Sequence, residues 1–133
     1  MAPTRTPRKT VLVVEDNELN SKLFCDLLDA FGYDSVHSSD GLDAVDLARA
    51  HAPALIIMDI QLPKVSGLDV TRWLKDDEDL AQIPILAVTA FAMRADEKKV
   101  REAGCDGYLA KPIQMTPFRN TVTQLAEGGA KAA

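Results

Sequence analysis

Three short apolar runs, VLVV at residues 11–14, LIIM at 55–58 and ILAV at 85–88, contain no polar alternation. A strand with one wet face alternates, whereas a strand covered by helices on both faces does not, so these runs predict the central strands of a parallel sheet. Two weaker runs, at 35–38 and 108–110, are shorter and more polar, which suits sheet edges, where burial is incomplete. Between the strands the period changes to that of a helix. Leu19, Leu23, Phe24, Leu27, Leu28 and Phe31 recur at helical spacing, and Gly32 follows as a C-terminal stop. Leu42, Val45 and Ala48 mark a second helix, and Ser66 followed by Asp69 opens a third that contains Trp73 and Leu74. Residues 95–103 favour helix but offer mainly Val100 and Ala103 to a core, so loose docking is expected there. Thr116 and Pro117 fit the N-cap and first residue of a fifth helix burying Phe118, Val122 and Leu125.

Strand and helix thus alternate five times. That order predicts an α/β fold: a doubly wound, five-stranded parallel sheet of flavodoxin-like order 2-1-3-4-5, with five helices distributed over both faces by right-handed crossovers. The folded domain is expected to span 10–126. A basic, proline-containing segment at 1–9 and a Gly- and Ala-rich segment at 127–133 read as flexible tails. In 133 residues no second functional domain is expected.

A net charge of −5 argues against direct DNA binding. No run approaches the roughly 20 apolar residues of a membrane span, and the start lacks a signal-peptide core, so the expected setting is cytoplasmic, without membrane insertion. Cys25 and Cys105 lack metal-site spacing and read as reduced thiols. His37 and His51 are isolated and read as surface residues.

The chemistry gathers at the strands' C-terminal ends, where ligands of such sheets bind. Glu15 and Asp16 follow the first strand, Asp59 ends the third, Thr89 ends the fourth, and Lys111 follows the fifth. Singly, each has an ordinary explanation as a cap, a turn residue or a solvated charge. Together they form three carboxylates, a hydroxyl and an ammonium at one edge, and three crowded carboxylates repel unless a proton or a cation intervenes. Mg²⁺ suits such a set, with Asp16 and Asp59 coordinating directly, Glu15 acting through water and the Gln61 backbone carbonyl adding an oxygen. Asp59, read as ionised and exposed, is the candidate nucleophile for an aspartyl phosphate, with Lys111 neutralising phosphoryl charge and Thr89 donating a hydrogen bond to the new group.

The motifs VVEDN at 13–17, MDIQLP at 58–63, AVTA at 87–90 and KPI at 111–113 resemble, in this order and spacing, the response-regulator receivers of two-component signalling. VEDNELN, SGL, WLK and AVTAFAM are similar, more narrowly, to single-domain receivers that act in cell division. The resemblance implies phosphorylation of Asp59 by a histidine kinase or phosphotransfer protein, Mg²⁺ at Asp16 and Asp59, and Lys111 on a phosphoryl oxygen. It also implies a cis Lys111–Pro112 bond. Thr89 and Tyr108 match the family's switch pair, although Tyr108 also reads as an edge-strand surface aromatic. Gln61 and Phe91 match positions that tune dephosphorylation. Such a receiver turns over no separate substrate. Its downstream partners would read the face made by residues 95–103, Tyr108 and the last helix. Leu19, Asn20 and Phe24 resemble a kinase-docking patch, while Leu19 and Phe24 read equally well as core.

Three other classes compete. A haloacid-dehalogenase-like phosphatase needs a second Asp where Gln61 stands. A flavodoxin-like binding module needs a phosphate-cradling loop where Glu15 and Asp16 stand. A phosphorylation-independent pseudo-receiver binding module is compatible with the same residues.

Overall fold

A computed structural model describes residues 8–90 and 94–128. Its elements are β1 (Thr10–Val14), α1 (Glu18–Ala30), β2 (Asp34–Ser38), α2 (Ala44–His51), β3 (Leu55–Asp59), α3 (Gly67–Asp76), β4 (Ile85–Thr89), α4 (Arg94–Ala103), β5 (Gly107–Ala110) and α5 (Met115–Gly128). The strands are parallel in the order β2-β1-β3-β4-β5, which is the predicted topology.

The unbroken apolar runs have the predicted cause. Successive strand residues face opposite sides, and each side carries its own core. Val11, Val13, Leu55, Ile57, Leu86 and Val88 pack against Phe24 and Leu28 of α1 and Phe118, Val122 and Leu125 of α5. Leu12, Val14, Ile56, Met58, Ile85 and Ala87 pack against α2, α3 and α4 through Ala44, Ala48, Val70, Leu74 and Val100. Of the α4 side chains described, Val100 and Ala103 are the buried ones, so this helix has the thin apolar face its sequence shows.

Local signals set the helix ends. Asn17 caps α1 by accepting from Asn20 N, and Ser66 caps α3 by accepting from Leu68 N. Gly32 follows α1 at φ +94°, a conformation that favours glycine. The fifth helix departs from expectation by starting at Met115, so Thr116 and Pro117 lie inside its first turn rather than at its cap. Proline is tolerated there because a first-turn N–H has no partner within the helix.

The α1 stripe also divides differently. Phe24 is 2% exposed and meets the Phe118 ring at 5.5 Å, whereas Leu19 is 80% exposed and Leu23 also faces solvent. Phe24 is therefore core and leaves the expected docking patch, while Leu19 and the half-buried Asn20 remain available at the start of α1. Helical spacing alone does not reveal where a helix begins to overhang its sheet.

Residues 8, 9 and 127, at the borders of the expected domain, make contacts across the fold. The Arg8 guanidinium donates to the backbone carbonyls of Asp29 and Tyr33, and Lys9 Nζ donates to Ala126 O and pairs with Glu127 at 3.1 Å. Lys9 thereby satisfies a carbonyl near the α5 C-terminus, where a cation is favourable. Residues 1–7, Phe91 and residues 129–133 lie outside the described residues.

Candidate functional site

The site begins where β1 ends. Glu15 N donates to Ser38 O at 3.0 Å, which prolongs the pairing with β2 by one residue. Strand alternation then turns Glu15 inward, at 1% exposure, and Asp16 outward into solvent. His37 on β2 fixes this turn, its Nε2 lying 2.7 Å from the Glu15 carbonyl oxygen.

Asp59 is the last residue of β3 and is buried, at 3% exposure. This corrects the expectation of an exposed carboxylate. The cover comes from neighbours remote in sequence, notably Glu15 and Lys111. Asp59 Oδ1 accepts from Gln61 N at 3.0 Å, and Oδ2 lies 3.3 Å from Lys111 Nζ. Gly67 lets α3 start against this strand end, since a Cβ there would meet the Asp59 carbonyl oxygen at 2.2 Å.

Lys111 follows β5, anchored by its N–H to Thr89 O at 2.8 Å and leading into a cis Lys111–Pro112 bond. Its ammonium reaches Glu15 Oε1 at 2.9 Å as well as Asp59. Glu15, Asp16 and Asp59 each bring a carboxylate oxygen to within 4.8 Å of the others. Three carboxylates thus face one ammonium, and all the acidic donors are hard oxygens. The set fits a hard divalent cation such as Mg²⁺.

The protonation pattern follows from this crowding. Burial, then the hydrogen bond and negative charge of Glu15, push the Asp59 carboxyl up to about 7, against the opposing pull of Lys111 and the Gln61 N–H. Burial would raise Glu15 too, but hydrogen bonds from Asp59, Lys111 and the Asn17 N–H outweigh it and hold Glu15 below its ordinary value. Burial would lower Lys111, and the two carboxylates reverse that and raise it.

Thr89, at the end of β4, is fully buried, and Tyr108 on β5 is half-buried against the α2–α3–α4 core. Two contacts had no sequence signal. One is the His37 contact on the acidic turn. The other is the hydrogen bonding of the Gln61 side chain, a residue expected to lend its backbone carbonyl to a metal and to match a position that tunes dephosphorylation. Its Nε2 donates to Thr89 Oγ1 at 2.7 Å, and its Oε1 accepts from Ala90 N at 3.3 Å.

Residues 11–123 match the response regulator receiver domain. The chain is 59% identical over 114 residues to the polar-differentiation response regulator DivK of Brucella ovis, covering 86% of this chain and 93% of that protein. It is 58% identical, over the same shares, to the DivK of Brucella anthropi. Among solved structures it resembles the receiver domain of sensor histidine kinase PA1611 from Pseudomonas aeruginosa, crystallised with a magnesium ion coordinated in its active-site cleft. The TM-score is 0.84 at 30% identity, covering 91% of this chain and 99% of that one. With the topology, the acidic edge and the order of its motifs in agreement, the chain belongs to the response regulator receiver family.

Proposed function

We propose that this receiver accepts a phosphoryl group on Asp59 from the phosphohistidine of a histidine kinase or phosphotransfer protein, and signals through phosphorylation-dependent contacts with other proteins. The observation that carries the reading is the buried Asp59 carboxylate at the C-terminal edge of the sheet, within reach of Lys111 and beside Glu15 and Asp16.

In the transfer, an Asp59 carboxylate oxygen attacks phosphorus. The new O–P bond forms as the P–N bond of the donor breaks, and the electron pair stays on the imidazole nitrogen, which is then protonated. Lys111 neutralises charge on the transferring oxygens from its place beside Asp59 Oδ2. Asp16, Asp59 and the Gln61 carbonyl would hold Mg²⁺ directly and Glu15 would hold it through water. When bound, the ion offsets the carboxylate repulsion and the phosphoryl charge. Thr89 then donates its hydroxyl to the phosphoryl group, and Tyr108 follows on the adjoining strand.

The face formed by α4, Tyr108 and α5 is the surface that downstream proteins would read, while exposed Leu19 and Met115 flank the phosphoryl-donor side. The likeness to DivK supports a role in cell division or polar differentiation. No helix among the described residues is long and apolar enough to cross a membrane. The reading is tested by intact-mass measurement after incubation with acetyl phosphate. One phosphoryl adduct is expected with Mg²⁺, and none in chelator or in Asp59→Asn. A wild-type chain that stays unmodified, even with a histidine kinase donor, would leave a phosphorylation-independent binding module.

A further inference from the structure

Gln61 stands between the proposed phosphoacceptor and the proposed switch threonine, and it bonds to both. Its backbone N–H donates to Asp59 Oδ1, while its side-chain amide uses both ends on the neighbouring loop, donating to Thr89 Oγ1 and accepting from Ala90 N. The two partners of the amide are consecutive residues 28 and 29 positions away, so one planar group holds a short segment by its side chain and its backbone at once. Any displacement of Thr89 relative to the β3–α3 loop must stretch both contacts.

We propose that the Gln61 side chain is a latch that holds the Thr89–Ala90 segment in its resting position and so sets the threshold that phosphorylation must overcome. This rests on the reading of Asp59 as phosphoacceptor. The latch is a positioning device, acting on Thr89 rather than on the phosphoryl group. Gln61 is itself exposed, so its hydrogen bonds compete with water and each is worth a modest factor. Loss of both should change the resting equilibrium by about three- to tenfold. Because Gln61 lines no core, its replacement should not compromise folding.

The test uses ¹⁵N-labelled full chain with Mg²⁺ and beryllofluoride, a phosphoryl mimic, on wild type, Gln61→Leu and Gln61→Ala. Leu keeps bulk without hydrogen bonds, and Ala removes both. Far-UV circular dichroism confirms folding, and the second variant decides if the first is misfolded. The expected result, before beryllofluoride is added, is that the Tyr108 and Leu109 amide peaks are displaced along the line from the free to the saturated wild-type positions. The beryllofluoride midpoint should also fall about fivefold. Peaks at the free wild-type position or off that line, with an unchanged or higher midpoint, overturn the latch. A wild type that ignores beryllofluoride overturns the phosphoacceptor reading and the latch with it, whereas a responsive wild type with unresponsive variants overturns the latch alone.

Discussion

The two ends of the sheet each hold a lysine at similar depth, and they use it differently. At the N-terminal edge, Lys75 donates to Ala81 O and Ile83 O and pairs with Asp106 at 3.0 Å, while the same carboxylate accepts from Ile85 N. One cation meets one carboxylate there, and the neighbouring backbone groups use the remaining capacity. At the C-terminal edge, Lys111 meets Glu15 and Asp59 with Asp16 alongside. The first arrangement is complete in itself and ties the α3–β4 connection to the start of β5. The second has an excess of negative charge that only a proton or another cation relieves. Similar ingredients thus give a staple at one edge and a charge-unbalanced cluster, the proposed phosphoacceptor site, at the other.

The sharpest way to break the contrast is to remove a carboxylate at each end. Asp106→Ala leaves the Lys75 ammonium and the Ile85 N–H without their shared acceptor, and should destabilise the fold by about 3 kcal/mol. Urea denaturation would show the loss, while the folded fraction should take up phosphoryl groups as wild type does.

Asp59→Asn should do the opposite. In metal-free protein at pH 8 it should stabilise the fold by about 2 kcal/mol, because it removes one of the repelling charges. The sign follows from the carboxyl's being raised from 3.8 to about 7 on folding. The folded chain then holds the proton more tightly than the unfolded chain. That contribution is full below about pH 4 and is lost as pH rises through about 7. Urea midpoints in chelator should therefore fall across this window for wild type relative to Asp59→Asn. Added Mg²⁺ should recover stability at pH 8 in wild type and much less in the variant.

A smaller effect should follow from His37→Ala, which frees the Glu15 carbonyl without touching a carboxylate. Mg²⁺ affinity, measured by calorimetric titration, is expected to weaken about two- to fivefold, as the acidic turn loses its support. No change would mean that the β1–β2 pairing alone holds the turn. At the distant terminus, Tyr33→Phe removes a 2.8 Å hydrogen bond to Glu127 and should cost about 0.5 kcal/mol in the urea midpoint.

The sheet order and the convergence of Glu15, Asp59, Thr89 and Lys111 were legible because both follow from strand order, and strand order follows from local apolar runs. What was not legible depends on which remote group covers which. Asp59 reads as an exposed turn acid until Lys111, 52 residues on, and Glu15 are placed over it. Phe24 and Leu19 share one stripe, and only the position of α5 shows that Phe118 reaches the first and not the second. The partners of the Gln61 amide and of the His37 ring were not legible, because a motif or a period names a residue without showing which remote group it bonds to. Arg8 and Lys9 read as tail charges because their partners, backbone carbonyls and carboxylates alike, lie far along the chain.

The claim that the C-terminal edge is the reactive one rests most directly on where a phosphoryl group lands. After incubation with acetyl phosphate and Mg²⁺, reduction with borohydride converts an aspartyl phosphate to homoserine, which tandem mass spectrometry locates. The account predicts homoserine at position 59 alone. Homoserine at another carboxylate, or at none despite a phosphoryl adduct on the intact chain, would contradict it.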